Sequence, residues 1–252
     1  MSKVNIDFDL FYDHVSRAAA SYEDPQEIRR NFGGSATLYI KLLEELNLLV
    51  FVEVDHAEKV QWVAIRGTDN FNNVWTDLRI HERVDTSVGV PIHCGFLESS
   101  SAVYDLVKDL LVPDYETRLT GHSLGGAVAA ILMMRFSHES VTLGTCVTFG
   151  QPKVTDDEGV NRYRHLPLWR VINEDDVVPM TPPTLPSQAF HHFGHEVHLK
   201  EGGGYEVFTE HQSELSPDGS FWANLGDMDV SDHHVQHYVT KIKAISDTDE
   251  DA

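Results

Sequence analysis

The chain has 252 residues, is 41% hydrophobic, and sets 40 acidic against 19 basic side chains for a formal net charge of −21. That length is enough to bury a full core in one domain. The charge argues against nucleic acid and anionic membrane surfaces as partners. It suits a solubilising surface, or one adapted to high salt, where screening relieves self-repulsion.

Residues 1–7 lack a basic start followed by an apolar stretch, so no secretory leader is read there. The two cysteines, Cys94 and Cys146, do not suggest a disulfide framework. Both features point to a cytoplasmic, reducing location, although a trimmed secreted form would look the same. Helices are expected over residues 7–21, 35–46, 95–111, 125–137 and 232–245. The longest apolar stretch, 46–54, is too short to span a bilayer. Trp62-Val63-Ala64-Ile65 reads as a buried strand running into Arg66-Gly67-Thr68. Arg66 would be costly to bury unpaired, and Asp77 or an acid beyond it is the expected partner. Over residues 69–78, Phe71, Val74, Trp75 and Leu78 fall on one helical face.

Residues 119–126, Leu-Thr-Gly-His-Ser-Leu-Gly-Gly, read as a strand end, a tight turn carrying a serine, and a helix rich in small residues. Gly-x-Ser-x-Gly in that setting is a nucleophile elbow. Ser123 must stand on a strained turn, and Gly121 and Gly125 let strand and helix pass without a Cβ clash. The helix starts at the nucleophile, so the backbone N–H of Leu124 is aimed where an oxyanion would form. A triad then needs an acid and a histidine downstream, in that order. The apolar run 168–172 ends in Asn173-Glu174-Asp175-Asp176-Val177-Val178-Pro179, and spacing alone allows either Asp175 or Asp176. Of the 15 histidines, the late cluster Asp232-His233-His234-Val235-Gln236-His237-Tyr238 fits best, with Asp232 capping the following helix. His233 is the first choice, His234 the reserve, and His237 is expected to pack or face solvent.

His191, His192, His195 and His198 offer a metal site as an alternative. Gly194 and the alternating pattern suggest a strand there, without converging ligands, so no metal and no cofactor are expected. Gly202-Gly203-Gly204 reads as the turn of a hairpin joining 196–200 to 205–209. Strands and helices alternate through the middle of the chain. The expected fold class is therefore α/β, with a central, mostly parallel sheet flanked by helices. Residues 1–246 are expected to form one domain and 247–252 an acidic disordered tail.

Five pieces between Val60 and Tyr238 resemble the class 3 lipase family, the fungal-type triacylglycerol lipases of α/β-hydrolase fold and their relatives. They are Val63-Ala64-Ile65-Arg66-Gly67-Thr68 with Trp75-Thr76-Asp77-Leu78; His93-Cys94-Gly95-Phe96; the elbow; Thr148-Phe149-Gly150-Gln151-Pro152; and Asp176-Val177-Val178-Pro179 with Pro182-Pro183. The resemblance favours Asp176 over Asp175, and His233 with Tyr238 a few residues later. It makes the backbone N–H of Thr68 the second oxyanion donor beside Leu124, and the Thr68 hydroxyl a third. Phe190-x-His192-x-Gly194-x-Glu196 resembles a family strand, which leaves His192 outside the triad. Phe71, Val74 and Trp75 would belong to a lid.

The activity implied is serine carboxylic-ester hydrolysis through an acyl-enzyme. A triacylglycerol lipase acting on lipid esters at an oil–water interface comes first, without a transmembrane segment. A short-chain or feruloyl-type esterase and a non-catalytic interaction module are the alternatives.

Overall fold

The computed structural model describes residues 6–34, 36–68, 82–174, 176–182, 189–208 and 231–249. Its strands in chain order are β1 (Thr37–Leu43), β2 (Leu48–Asp55), β3 (Val60–Ile65), β4 (Glu82–Asp85), β5 (Val90–His93), β6 (Glu116–His122), β7 (Thr142–Phe149), β8 (Leu168–Asn173), β9 (His195–Leu199) and β10 (Tyr205–Phe208). Eight of them form one sheet in the order β1-β2-β3-β6-β7-β8-β9-β10, and β4 with β5 makes a separate hairpin. From β3 to β9 neighbouring strands of that sheet are parallel; the pairs β1–β2, β2–β3 and β9–β10 are antiparallel. The mostly parallel centre agrees with the sequence reading. Strands covered on both faces are expected to be apolar throughout, as β2 and β3 nearly are.

The helices are α1 (Phe8–Ala20), α2 (Pro25–Phe32), α3 (Cys94–Val107), α4 (Leu124–Phe136), α5 (Asp157–Tyr163) and α6 (Val235–Asp249). The carboxylate of Asp7 caps α1 by accepting the Leu10 N–H at 2.9 Å. Phe8, Phe11, Val15 and Ala18 recur at helical spacing and pack with Tyr238 and Ile242 of α6 against Val147, Phe149, Val171 and Val197 on one sheet face. On the other face α3 and α4 cover Val63, Ile65, Leu119 and Cys146. Every residue of α4 from Gly125 to Met134 is buried, which is why it shows no apolar stripe. Among the described residues no helix is long and apolar enough to cross a membrane.

Three expectations are corrected. Residues 35–46 are not a helix: Thr37–Leu43 pair with Leu48–Val54 as an edge strand, closed by a short 3₁₀ turn at Glu44–Leu46. Leucines at 38, 42, 43 and 46 gave a helical period, but Thr37, Tyr39 and Ile40 suit a strand, and pairing with β2 decides. The last helix starts at Val235, after a 3₁₀ turn at Ser231–His233, instead of being capped by Asp232. It also runs to Asp249 instead of ending at 245; Lys243 pairs with Asp247 at 3.0 Å across one turn. Two helices were not anticipated. Both have a start signal in the sequence: Asp24 before Pro25 for α2, and Asp156 for α5.

Candidate active site

Parallel strands end on the same sheet edge, and that edge is where open α/β sheets keep their sites. Here the ends of β3, β6, β7 and β8 deliver Gly67-Thr68, Ser123, Gly150 and the loop to Asp176. Ser123 holds φ 58° and ψ −128°, a conformation a side chain adopts only when its surroundings impose it. They do so through hydrogen bonds: its N–H donates to the Phe149 carbonyl at 2.9 Å, and its carbonyl accepts from Gly126 at 2.9 Å and Ala127 at 3.2 Å. They also do so by contact. A Cβ on Gly125 would lie 2.2 Å from the Ile65 oxygen, and one on Gly121 would lie 2.4 Å from the carbonyl carbon of Gly125. Leu124 is the first residue of α4, so helix geometry gives its N–H no partner within the helix. The Ser123 hydroxyl is buried and makes no hydrogen bond among the described residues.

Asp176 is buried and its carboxylate accepts three hydrogen bonds. Oδ2 accepts from His233 Nδ1 at 2.7 Å and from the Tyr238 hydroxyl, and Oδ1 accepts the Val178 N–H at 2.9 Å. Burial, then the Asp176 charge, push the Tyr238 phenol well above its ordinary range, so it stays a donor. Its oxygen in turn accepts the Asn173 N–H at 3.1 Å. Donation from Nδ1 leaves Nε2 as the acceptor nitrogen of a neutral His233. His234 and His237 are exposed. The turn carrying His233 is tied down by Asn173, whose amide donates to the Asp232 carbonyl at 3.0 Å while its oxygen accepts from Lys241 at 2.6 Å.

Gly150, at φ 57°, makes this meeting possible: a Cβ there would lie 2.7 Å from Asp176 Oδ2 and 2.7 Å from His233 Cε1. Gly150→Ala is expected to force the pair apart and lower kcat about ten-fold or more, since misplacements near 1 Å carry such costs. Steady-state kinetics alongside thermal melting would check it.

The turn after β3 reaches the nucleophile. A Cβ on Gly67 would lie 2.8 Å from that of Ser123, and Thr68 follows it, half-buried. Among the described residues no acid pairs with Arg66, and Asp77, its expected partner, lies outside them. Its guanidinium donates to the carbonyl and side-chain oxygens of Asn47 at 2.8 and 2.7 Å. Asp77, Asp175 and the lid residues Phe71, Val74 and Trp75 lie outside the described residues.

The histidines at 191–198 go to separate partners. His191 faces Asp157 at 3.5 Å, His192 donates to the Pro179 carbonyl at 2.7 Å, His195 stacks on Trp169, and His198 bonds to Glu196. Residues 189–194 form an isolated bridge at His191, and the strand begins only at His195. Among the described residues, no group of three or more His, Cys, Asp and Glu side chains is placed to hold a metal ion. The sequence reading missed Tyr22 and His122, which touch the site from behind. His122 was visible only as the variable residue of the elbow, and Tyr22 had no signal.

The family model for Lipase (class 3) matches residues 62–185, a span that includes Thr68, Ser123 and Asp176. Over that span the chain is similar to the class 3 lipase family. Among its relatives, a lipase of Rhizomucor miehei is 30% identical over 179 residues, 64% of this chain and 49% of that protein. A secreted mono- and diacylglycerol lipase of Fusarium solani is 31% identical over 144 residues, 54% of this chain and 43% of that protein. The chain thus spans about half the length of these relatives or less. The crystal structure of a lipase from Rhizopus microsporus var. chinensis superposes with a TM-score of 0.71 at 24% identity, covering 89% of this chain and 86% of that one. That superposition covers a larger share of the chain than the span matched by the family model.

Proposed function

We propose that this chain is a class 3 lipase family member and a serine carboxylic-ester hydrolase, most specifically a triacylglycerol lipase. The observation that carries the reading is the convergence, on one sheet edge, of a serine held on a strained elbow with a buried Asp176–His233 hydrogen bond of 2.7 Å. In this reading His233 Nε2 takes the proton of Ser123 as its oxygen attacks the ester carbonyl, then gives that proton to the departing alcohol. Asp176 fixes the imidazole tautomer and stabilises the imidazolium. The backbone N–H groups of Leu124 and Thr68 receive the oxyanion. Water then repeats the sequence on the acyl-enzyme and releases the acid.

The substrate is proposed to be a lipid ester met at an oil–water interface, with residues 69–78 as the lid. For location, the Fusarium solani relative is by name secreted, and we adopt export over the cytoplasmic location expected from the cysteines. A free thiol is compatible with that setting: burial pushes the Cys146 thiol far up its range, where it is slow to oxidise.

The test is hydrolysis of p-nitrophenyl butyrate through palmitate by wild type beside Ser123→Ala. Turnover in the wild type, lost in the variant, with an optimum at long chains, is expected. A short-chain optimum replaces lipase by esterase, and a folded wild type inactive on every chain length removes the hydrolase reading.

A further inference from the structure

A phenol at the end of α1 reaches both halves of the proposed reaction centre. The Tyr22 oxygen accepts the Gly67 N–H at 3.2 Å and lies 2.8 Å from His122 Nδ1. His122 Nε2 lies 2.6 Å from the main-chain carbonyl oxygen of His233. A carbonyl only accepts, so Nε2 carries the proton. Burial, and next the neighbouring His233, hold His122 well below the ordinary imidazole range, so its ring is neutral and Nδ1 accepts. Each link therefore has one polarity: Gly67 N–H to the Tyr22 oxygen, Tyr22 O–H to His122 Nδ1, and His122 Nε2–H to the His233 carbonyl. The His122 ring also lies against that of His233, with centroids 4.4 Å apart and planes inclined by 34°.

We propose that Tyr22 and His122 are positioning residues for ester hydrolysis, a relay that holds the oxyanion turn and the general base in fixed relation to each other. The proposal rests on the serine hydrolase reading given above. At one end, anchoring the Gly67 N–H fixes the peptide that precedes the Thr68 donor, and such donors act only when aimed in advance. At the other end, His233 gains a second anchor: Asp176 holds its ring and His122 its backbone. The attack places a positive charge on His233, and a charged neighbour at stacking distance would oppose it. A neutral His122 offers a polar wall without that repulsion. Loss of the relay should therefore weaken the transition state and leave ground-state binding alone.

The experiment compares wild type with Tyr22→Phe, His122→Gln and His122→Leu. It measures kcat and KM for p-nitrophenyl butyrate, inhibition by an alkylboronic acid that forms a tetrahedral adduct with the serine, and thermal midpoint. Tyr22→Phe keeps the ring and loses only the hydroxyl. It is expected to lower kcat about ten-fold or more, with KM within about two-fold, boronate affinity reduced by the same factor as kcat, and the midpoint unmoved. His122→Gln keeps an N–H for the His233 carbonyl and is expected to recover part of the kcat that His122→Leu loses. Wild-type kcat in Tyr22→Phe would overturn the relay, as would a loss shared equally by kcat, KM and melting with Gln no better than Leu. A wild type without esterase activity overturns the hydrolase reading and the relay with it. An active wild type with an unaffected Tyr22→Phe overturns the relay alone.

Discussion

Replacing Asp176 by asparagine is expected to lower kcat for ester hydrolysis by about 10⁴-fold, the scale found when a triad acid is exchanged for its amide. The reason lies in the three hydrogen bonds that the carboxylate accepts, from His233 Nδ1, Val178 N–H and Tyr238 O–H. An asparagine oxygen can still accept from Val178, so the loop keeps its shape. Its NH₂ group then faces His233 and Tyr238. Donation to Nδ1 moves the imidazole proton to Nε2, and a ring protonated there cannot take the proton of Ser123. The fold should survive, because Tyr238 needs only a rotated hydroxyl to accept from the amide. Kinetics with p-nitrophenyl esters beside a thermal melt would check both halves. An Asp176→Asn enzyme within ten-fold of wild type would remove Asp176 from the mechanism.

Acid is expected to be the weak flank of this fold. His14 is fully buried edge-on to Trp62, and burial, with Arg118 and then Arg17 nearby, holds its pKa well below 6.5. His122 is lowered in the same direction by burial. His192, also enclosed, adds to the trend. In the unfolded chain each would titrate near pH 6.5. Below that pH the unfolded state binds protons that the native state refuses, so stability falls as pH falls. Above about pH 7 both states are neutral and the groups contribute no pH dependence. Each refused proton is worth about 1.4 kcal/mol per pH unit, so His14 and His122 together give a slope of about 2.7 kcal/mol per unit. Small domains hold only about 5–15 kcal/mol in total, so two units of acid consume a large share. Urea unfolding at pH 8, 6.5 and 5.5 measures the slope, and His14→Leu should reduce it by one proton. Equal unfolding free energies at the three pH values would refute the assignment.

What was legible in the chain follows from how local each constraint is. The elbow is written in consecutive residues, since the strain at Ser123 and the close passage at Gly121 and Gly125 involve only one strand end and the helix after it. The choice between Asp175 and Asp176 was not local. Spacing left it open and the resemblance favoured Asp176, whose carboxylate meets His233, while Asp175 lies outside the described residues. Edge strand β1 was misread because its leucines carry both periods, and pairing with β2 settles the matter only in three dimensions. Arg66 was expected to seek an acid. Among the described residues its guanidinium meets the oxygens of Asn47, which a left-handed backbone at φ 48° turns towards it, and no sequence rule anticipates that contact. Tyr22 stands 100 residues from His122, so their contact exists only once α1 has packed beneath β6.

The docking of α1 against α6 also has a consequence for the order in which the molecule becomes competent. The elbow and Asp176 belong to the middle of the chain, but His233 and Tyr238 sit just before and within α6, which packs on α1 from the opposite end of the sequence. A growing polypeptide leaving the ribosome therefore displays the proposed nucleophile, Ser123, well before it acquires the proposed base, His233. Under the proposed mechanism, hydrolysis waits until residues 231–249 have emerged and closed against the first helix. On that reading, an unfinished or truncated product carries the serine without the histidine and is chemically silent.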